Sequence, residues 1–144
     1  MAAPPSGLKQ ATLTKEKGTV QLYESEKAKP VDVPVGTVIK DDQILKTGRK
    51  SMAELEFQDT TITRIGSNSI FSFNKSRREI FLKKGQLLIQ VYDPAGSCHV
   101  VTPSVTASIH GTTALVEVND QGATRNIADF YDSITKGDVA NPTA

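Results

Sequence analysis

Three side chains in this 144-residue sequence could act as a nucleophile, a base or a soft metal ligand: Cys98, His99 and His110. Cys98 and His99 are neighbours in a strand-like stretch, so their side chains should point to opposite faces of a sheet. A nucleophile and its base must instead lie within hydrogen-bond reach of each other. His110 stands alone before Gly111. We therefore expect none of the three to be catalytic.

Other motifs that carry chemistry are also missing from the sequence. A zinc site needs three or four converging ligands, and no pair of residues has the ligand spacing. The acidic turns "DPAGS" and "DDQ" lack the alternating carboxylates of a calcium loop. The glycines form no phosphate-binding loop, and no serine stands in a GxSxG elbow. The sequence predicts a non-enzymatic protein without cofactor or metal, and it identifies no binding residues.

Basic residues gather near three groups of predicted turns. The chain carries 17 basic and 16 acidic residues, a net charge of +1, so no overall field attracts anions. The clusters either solvate loops and protect sheet edges or form one patch for an anionic partner if the loops meet. We expect weak or no binding to an anionic polymer. The clusters are Lys46, Arg49 and Lys50; Lys75, Arg77 and Arg78; and Lys83 and Lys84.

Arg64 lies in a strand-like stretch between Thr63 and Ile65. It either points outward or pairs across a hairpin with Glu54 or Glu56, and the pair is favoured because buried arginines are usually paired. The "GSNS" that follows, residues 66–69, is predicted to be a turn whose short polar side chains bond the backbone.

Apolar and polar residues alternate in short runs from Gly18 onward, most clearly in "MAELEF". Such strands, separated by turn signals, predict an all-β, antiparallel β-sandwich of jelly-roll type. A short β-solenoid is the alternative, since the glycines are loosely periodic. "NDQG" is predicted to be a hairpin turn in which Gly122 takes a positive φ. The predicted core contains Leu55, Phe57, Ile65, Leu82, Leu87, Ile89, Val91, Val116 and Val118.

The length predicts one domain. We assign residues 1–17 to a flexible N-terminal tail, 18–128 to the β domain and 129–144 to a C-terminal extension and tail. Within residues 127–136, apolar side chains at i, i+3, i+4 and i+7 suggest a short helix, with a last strand as the alternative. The start, "MAAPPSG", has no apolar signal core, and no apolar run approaches the ~20 residues of a membrane span.

Three segments together resemble FecR-like domains: "VGTVIKDDQILKTGRKSMAELEFQDTTITRIGSNSIFSF", "EIFLKKGQLLIQV" and "HVVTPSVTASIHGTTALVEV". They occur in family order over roughly Gly18 to Val118, and the chain departs from the pattern after Gly122. The resemblance implies an all-β domain outside the inner membrane, periplasmic or secreted. In the namesake systems such a domain relays a signal from an outer-membrane siderophore receptor to a sigma factor.

From this resemblance we expect a protein–protein interaction or signalling module with a protein partner in the cell envelope. Binding of an anionic or carbohydrate polymer of the envelope is the alternative. No nucleic-acid partner is expected.

Overall fold

The computed structural model describes residues 10–58, 60–74, 78–91, 98–109 and 113–127. All regular structure in these ranges is β-strand, so the predicted all-β class is confirmed. No described segment is a helix that could span a membrane. The strands are β1 (Gln10–Lys17), β2 (Val20–Tyr23), β3 (Val31–Asp32), β4 (Val38–Lys40), β5 (Ile44–Thr47), β6 (Met52–Phe57), β7 (Ile62–Ile65), β8 (Ile70–Asn74), β9 (Glu79–Gln90), β10 (Cys98–Val101), β11 (Thr106–Ile109), β12 (Thr113–Val118) and β13 (Thr124–Ile127).

The described strands form one curled sheet, a half-barrel, with two arms that share the long strand β9. Arm 1 has the order β4-β1-β6-β7-β9-β12-β13 and uses the C-terminal half of β9. Arm 2 has the order β3-β2-β5-β8-β9-β10-β11 and uses the N-terminal half. Neighbouring strands are antiparallel except β9 and β10, which are parallel. The choice between sandwich and solenoid stays a prediction.

The core lies on the inner faces of both arms. Alternate residues along the strands are buried there in one apolar cluster. Phe57 of arm 1 meets Phe73 of arm 2, with ring centroids 4.9 Å apart and an angle of 82° between the rings. All nine predicted core residues are buried, which confirms the face assigned to each from its alternation. Each large side chain of this kind contributes roughly 1.5–3 kcal/mol when it is fully buried.

The chain passes from one arm to the other at several points, and four of them are neighbouring corners that each contain a glycine. Three corners join β1 to β2, β5 to β6, and β7 to β8, and the fourth is the bend within β9. Hydrogen bonds link adjacent corners: Gly48 N–H donates to the Thr19 carbonyl at 3.0 Å, and Gly66 N–H to the Gln86 carbonyl at 2.9 Å. We call this line of corners the glycine seam; its glycines are Gly18, Gly48, Gly66 and Gly85.

The bend in β9 has two local causes. Ile70 pairs with Lys84 and Phe71 with Leu82, so Lys83 is an extra residue that forms a β-bulge. Gly85 then adopts a φ of +105°, and a Cβ on it would lie 2.5 Å from the Cα of Ser69. Only glycine satisfies both the positive φ and this close approach, so the bend depends on the residue type.

The prediction of a flexible tail over residues 1–17 is wrong for Gln10–Lys17, which form β1. This strand pairs with both β4 and β6, and it buries Ala11 and Leu13 completely against the core. Two apolar residues in a lysine-rich stretch are a weak strand signal, and the burial comes from partners distant in sequence. Residues 1–9 and 128–144 lie outside the described ranges; of the proposed helix or strand over 127–136, only Ile127 is described, in β13.

Candidate functional site

The three side chains singled out for chemistry do not come together. Cys98 and His99 begin β10; Cys98 is buried in the core, whereas His99 lies half-buried on the outer face of arm 2. His110 falls outside the described ranges. Within the described part of the chain, no three His, Cys, Asp or Glu side chains are placed to hold a metal ion together.

The described residues of the basic clusters do not all lie at one place on the sheet. Arg49 and Lys50 occupy the seam corner between β5 and β6, whereas Arg78 precedes β9 at the end distant from the seam. Lys84, beside the seam, lies six positions after Arg78 along the strand, about 20 Å at the usual rise. That spacing exceeds the ~8 Å screening length at physiological salt. Lys75 and Arg77 lie outside the described residues.

Two of these lysines already have local partners. The ammonium of Lys46 in β5 lies 4.5 Å from the ring centre of Tyr23, a cation–π contact on the outer face of arm 2. Lys84 Nζ lies 3.2 Å from Asp120 Oδ1. These contacts favour the interpretation that the basic side chains serve local structure and solvation.

Arg64 pairs with Glu54, one of its two predicted partners. The two residues are directly opposite in the β6–β7 hairpin, and Arg64 Nε donates to Glu54 Oε1 at 2.8 Å. Thr14, the extra residue of a bulge in β1, donates its hydroxyl to Glu54 Oε2 at 2.8 Å. The Arg64 hydrogen bond lowers the pKa of Glu54 and outweighs burial, which acts in the opposite direction. The predicted pair is confirmed, and it links three strands of arm 1.

The "GSNS" segment is a turn whose side chains bond the backbone, as predicted. Asn68 takes a φ of +53°. The Ser67 hydroxyl accepts from the Ser51 N–H and donates to the Ser51 carbonyl, both at 3.0 Å. The turn therefore ties the β7–β8 corner to the β5–β6 corner beside it.

Ser69 ties the same turn to the bend of β9. Its hydroxyl accepts from the Gln86 N–H at 3.0 Å and donates to the Gly66 carbonyl at 3.1 Å. Its own N–H donates to the Thr47 hydroxyl at 3.0 Å. Ser69 and Thr47 are both buried, so their hydroxyls supply partners for backbone groups that the bends remove from the regular ladder. Sequence reasoning identified the turn but missed that it joins neighbouring strands.

A cleft of about 660 Å³ opens beside this corner. Its walls are the "GSNS" turn, the bend of β9 and the β12–β13 turn. That last turn has the predicted form: Gly122 has a φ of +82°, and Asn119 Oδ1 accepts from the N–H groups of Gln121 and Ala123 at 2.9 Å. The lining residues are Ser67, Asn68, Lys84, Gly85, Gln86, Glu117, Val118, Asn119, Asp120, Ala123 and Thr124.

Most residues that line the cleft are of polar types, and its charged side chains are slightly acidic in balance. Its charged side chains are one cation, Lys84, and two carboxylates, Glu117 and Asp120. The Lys84–Asp120 pair is open to solvent, with side chains 43% and 78% exposed. Gln86 Nε2 donates to Glu117 Oε2 at 3.0 Å. This lining offers both donors and acceptors, and it suits an N–H or O–H bearing ligand better than a polyanion. No sequence motif predicts the cleft, because its walls come from turns that are far apart in the sequence.

Comparison with curated proteins and with solved structures gives no significant match. A family model does match: residues 43–129 align with the model described as FecR protein. The aligned region covers more than half of the chain and contains the seam corners from Gly48 to Gly85 and the whole cleft. The chain therefore belongs to the FecR protein family.

Proposed function

We propose that this protein is a non-enzymatic interaction or signalling module of the cell envelope, periplasmic or secreted, and that it contacts a protein partner through the cleft at the glycine seam. The observation that carries the proposal is the FecR match over residues 43–129, because that family is related to signalling. All residues that line the cleft fall inside the matched region.

The chemistry of the cleft supports a protein partner. Its walls carry amides, hydroxyls and charges of both signs, which can pair with the backbone and side chains of another polypeptide. The exposed Lys84–Asp120 pair contributes roughly 0–1 kcal/mol at most, as surface ion pairs do. A partner can therefore replace it at small cost. The buried hydroxyls of the seam anchor two of the walls, the "GSNS" turn and the bend of β9, so these walls need little ordering on binding.

Site-specific photo-crosslinking in the native host tests this proposal. A photoreactive residue at Asn68 or Ala123, on two walls of the cleft, should yield the same discrete protein adduct. The matched control is Val38, which is exposed in β4 at the far edge of arm 1. Equal adducts at all three positions, or none at the cleft, would contradict the role of the cleft. A reporter enzyme active only outside the cytoplasm, fused to the full-length gene product, tests the location separately.

A carbohydrate polymer of the envelope is the second candidate. The observation that favours it is the density of amide and carboxylate groups in the cleft, which can bond sugar hydroxyls. The excess of carboxylates disfavours the anionic polymers. We expect little retention on a heparin column at physiological salt. Salt-sensitive retention that is lost in the Arg77→Ala/Arg78→Ala variant would reverse this ranking, since counterion release makes polyanion binding salt-dependent.

A further inference from the structure

The outer edge of arm 2 is the strand β11. Among the described strands it pairs with β10 alone. Thr106 and Ser108 point to the outer face and are exposed, and Val105, just before the strand, is 44% exposed. Within the described part of the chain, nothing pairs with this edge.

The β11 edge also lacks the charge that usually prevents strand addition. The other described edge strands each contain a charged residue: Asp32 in β3, Lys40 in β4 and Arg125 in β13. Charged side chains and proline are the common means by which proteins block edge-to-edge pairing. β11 contains neither, and residues 98–109 contain no Asp, Glu, Lys or Arg.

Backbone geometry determines which groups of β11 face the free edge. The Thr102 N–H donates to the Val105 carbonyl at 2.8 Å and closes the β10–β11 hairpin. Hydrogen-bonded and non-bonded pairs alternate along an antiparallel ladder. Residues 105, 107 and 109 therefore bond towards β10, and Thr106 and Ser108 direct their N–H and carbonyl groups away from it.

We propose that a second copy of this chain pairs antiparallel with β11 about a twofold axis at Ala107. Thr106 then lies opposite Ser108 of the second copy, and Val105 lies opposite its Ile109. About four backbone hydrogen bonds form, two from each Thr106–Ser108 pair. Hydroxyl pairs and apolar pairs are both favourable cross-strand neighbours. A shift of the register by one residue would place inner residues opposite outer ones, so the two-faced pattern excludes odd shifts. Among the even registers, the one centred on Ala107 is favoured because it pairs both outward-bonding residues of β11, Thr106 and Ser108, with each other.

The proposed dimer is independent of the cleft and of the envelope role. The edge is only four residues long, so the buried area is below that of a typical stable interface. We therefore expect weak association. The interface is isologous, which closes the assembly at two copies.

Sedimentation equilibrium of the full chain from about 10 μM to about 1 mM tests the association. The weight-average mass should rise towards that of a dimer. Hydrogen exchange at the Thr106 and Ser108 amides should slow in parallel, because only the dimer protects them. A monomer at ~1 mM, or a dimer without this protection, would overturn the proposal.

Two charge variants test the register. Thr106→Lys/Ser108→Lys places like charges opposite each other and should weaken association at least tenfold. Thr106→Lys/Ser108→Glu places Lys opposite Glu and should keep or strengthen it. Both positions are exposed, so the monomer should fold, which circular dichroism confirms. Val38→Lys at the edge of arm 1 is the control and should change nothing. A Lys/Lys variant that still dimerises, or equal loss in both variants, would refute the proposal.

Discussion

Serine and threonine play opposite parts at the glycine seam and at the β11 edge. At the seam, Thr47 and Ser69 are buried, and their hydroxyls bond backbone groups of neighbouring corners. At the edge, Thr106 and Ser108 are exposed on the outer face, and their backbone groups point away from β10. The same residue types therefore stabilise the bent sheet in one region and leave the other open to a partner.

This difference follows from the cost of an unpaired polar group. A buried donor that loses its partner costs about 1–3 kcal/mol, whereas an exposed donor bonds water instead. Substitutions at the seam should consequently affect folding, and substitutions at the edge should affect association while leaving stability nearly unchanged.

Gly85→Ala should have the largest effect, a loss of about 3–4 kcal/mol in the free energy of unfolding. The new Cβ meets the Ser69 backbone and also requires a strained positive φ. Gly36→Ala is the matched control: it shares the positive φ, but nothing lies within 4 Å of its Cβ. It should lose only about 1 kcal/mol. Urea unfolding of both variants measures the difference, and equal losses would show that the close approach at the seam is unimportant.

Ser69→Ala should lower the unfolding free energy by about 2 kcal/mol, because it removes a buried hydroxyl that accepts from the Gln86 N–H and donates to the Gly66 carbonyl. Ser108→Ala, the same chemical change at the edge, should lie within about 0.5 kcal/mol of wild type. Thermal unfolding measured at low protein concentration avoids any contribution from association. Similar losses in the two variants would contradict the contrast between seam and edge.

Thr63→Val should stabilise the protein by about 1 kcal/mol. Thr63 is completely buried between Leu55 and Ile89, and its hydroxyl has no hydrogen-bond partner among the described residues. Unlike the hydroxyls of Thr47 and Ser69, the Thr63 hydroxyl makes no hydrogen bond among the described residues. Its removal should therefore not lower the free energy of unfolding. Ser69→Ala serves as the opposite case in the same denaturation experiment. A destabilised Thr63→Val protein would show that this hydroxyl is bonded in solution.

The Glu54–Arg64 pair should give the smallest effect, below about 1 kcal/mol, because half of the Arg64 side chain is exposed to solvent. Folding lowers the pKa of Glu54, so its contribution is present above the unfolded pKa and is lost as the pH falls through the folded one. Wild type should therefore lose more stability than Glu54→Gln between pH 6 and pH 3, about the range of an ordinary glutamate. If the unfolding free energies of wild type and Glu54→Gln changed equally with pH, the pair would not contribute to stability.

Regular alternation made much of the fold predictable. "MAELEF" places Ala53, Leu55 and Phe57 on one face, and "QLLIQV" does the same with Leu87, Ile89 and Val91. All six of these residues are buried. The sequence limited the partner of Arg64 to Glu54 or Glu56. The register of the β6–β7 hairpin places Glu54 directly opposite it. β1 was missed because its two buried residues matter only when β4 and β6 flank them.

By itself, the sequence determined the all-β class, the core faces, the turns at residues 66–69 and 119–122 and the resemblance to FecR-like domains. These depend on neighbours within a few residues, through side-chain alternation and local backbone bonding. Only the tertiary structure shows how the strands divide into two arms and how four glycines distant in sequence align in one seam. It alone also shows the cleft beside the seam and the position of the uncharged strand β11 at an edge. Each arises from pairing between strands distant in the chain, which no local pattern encodes.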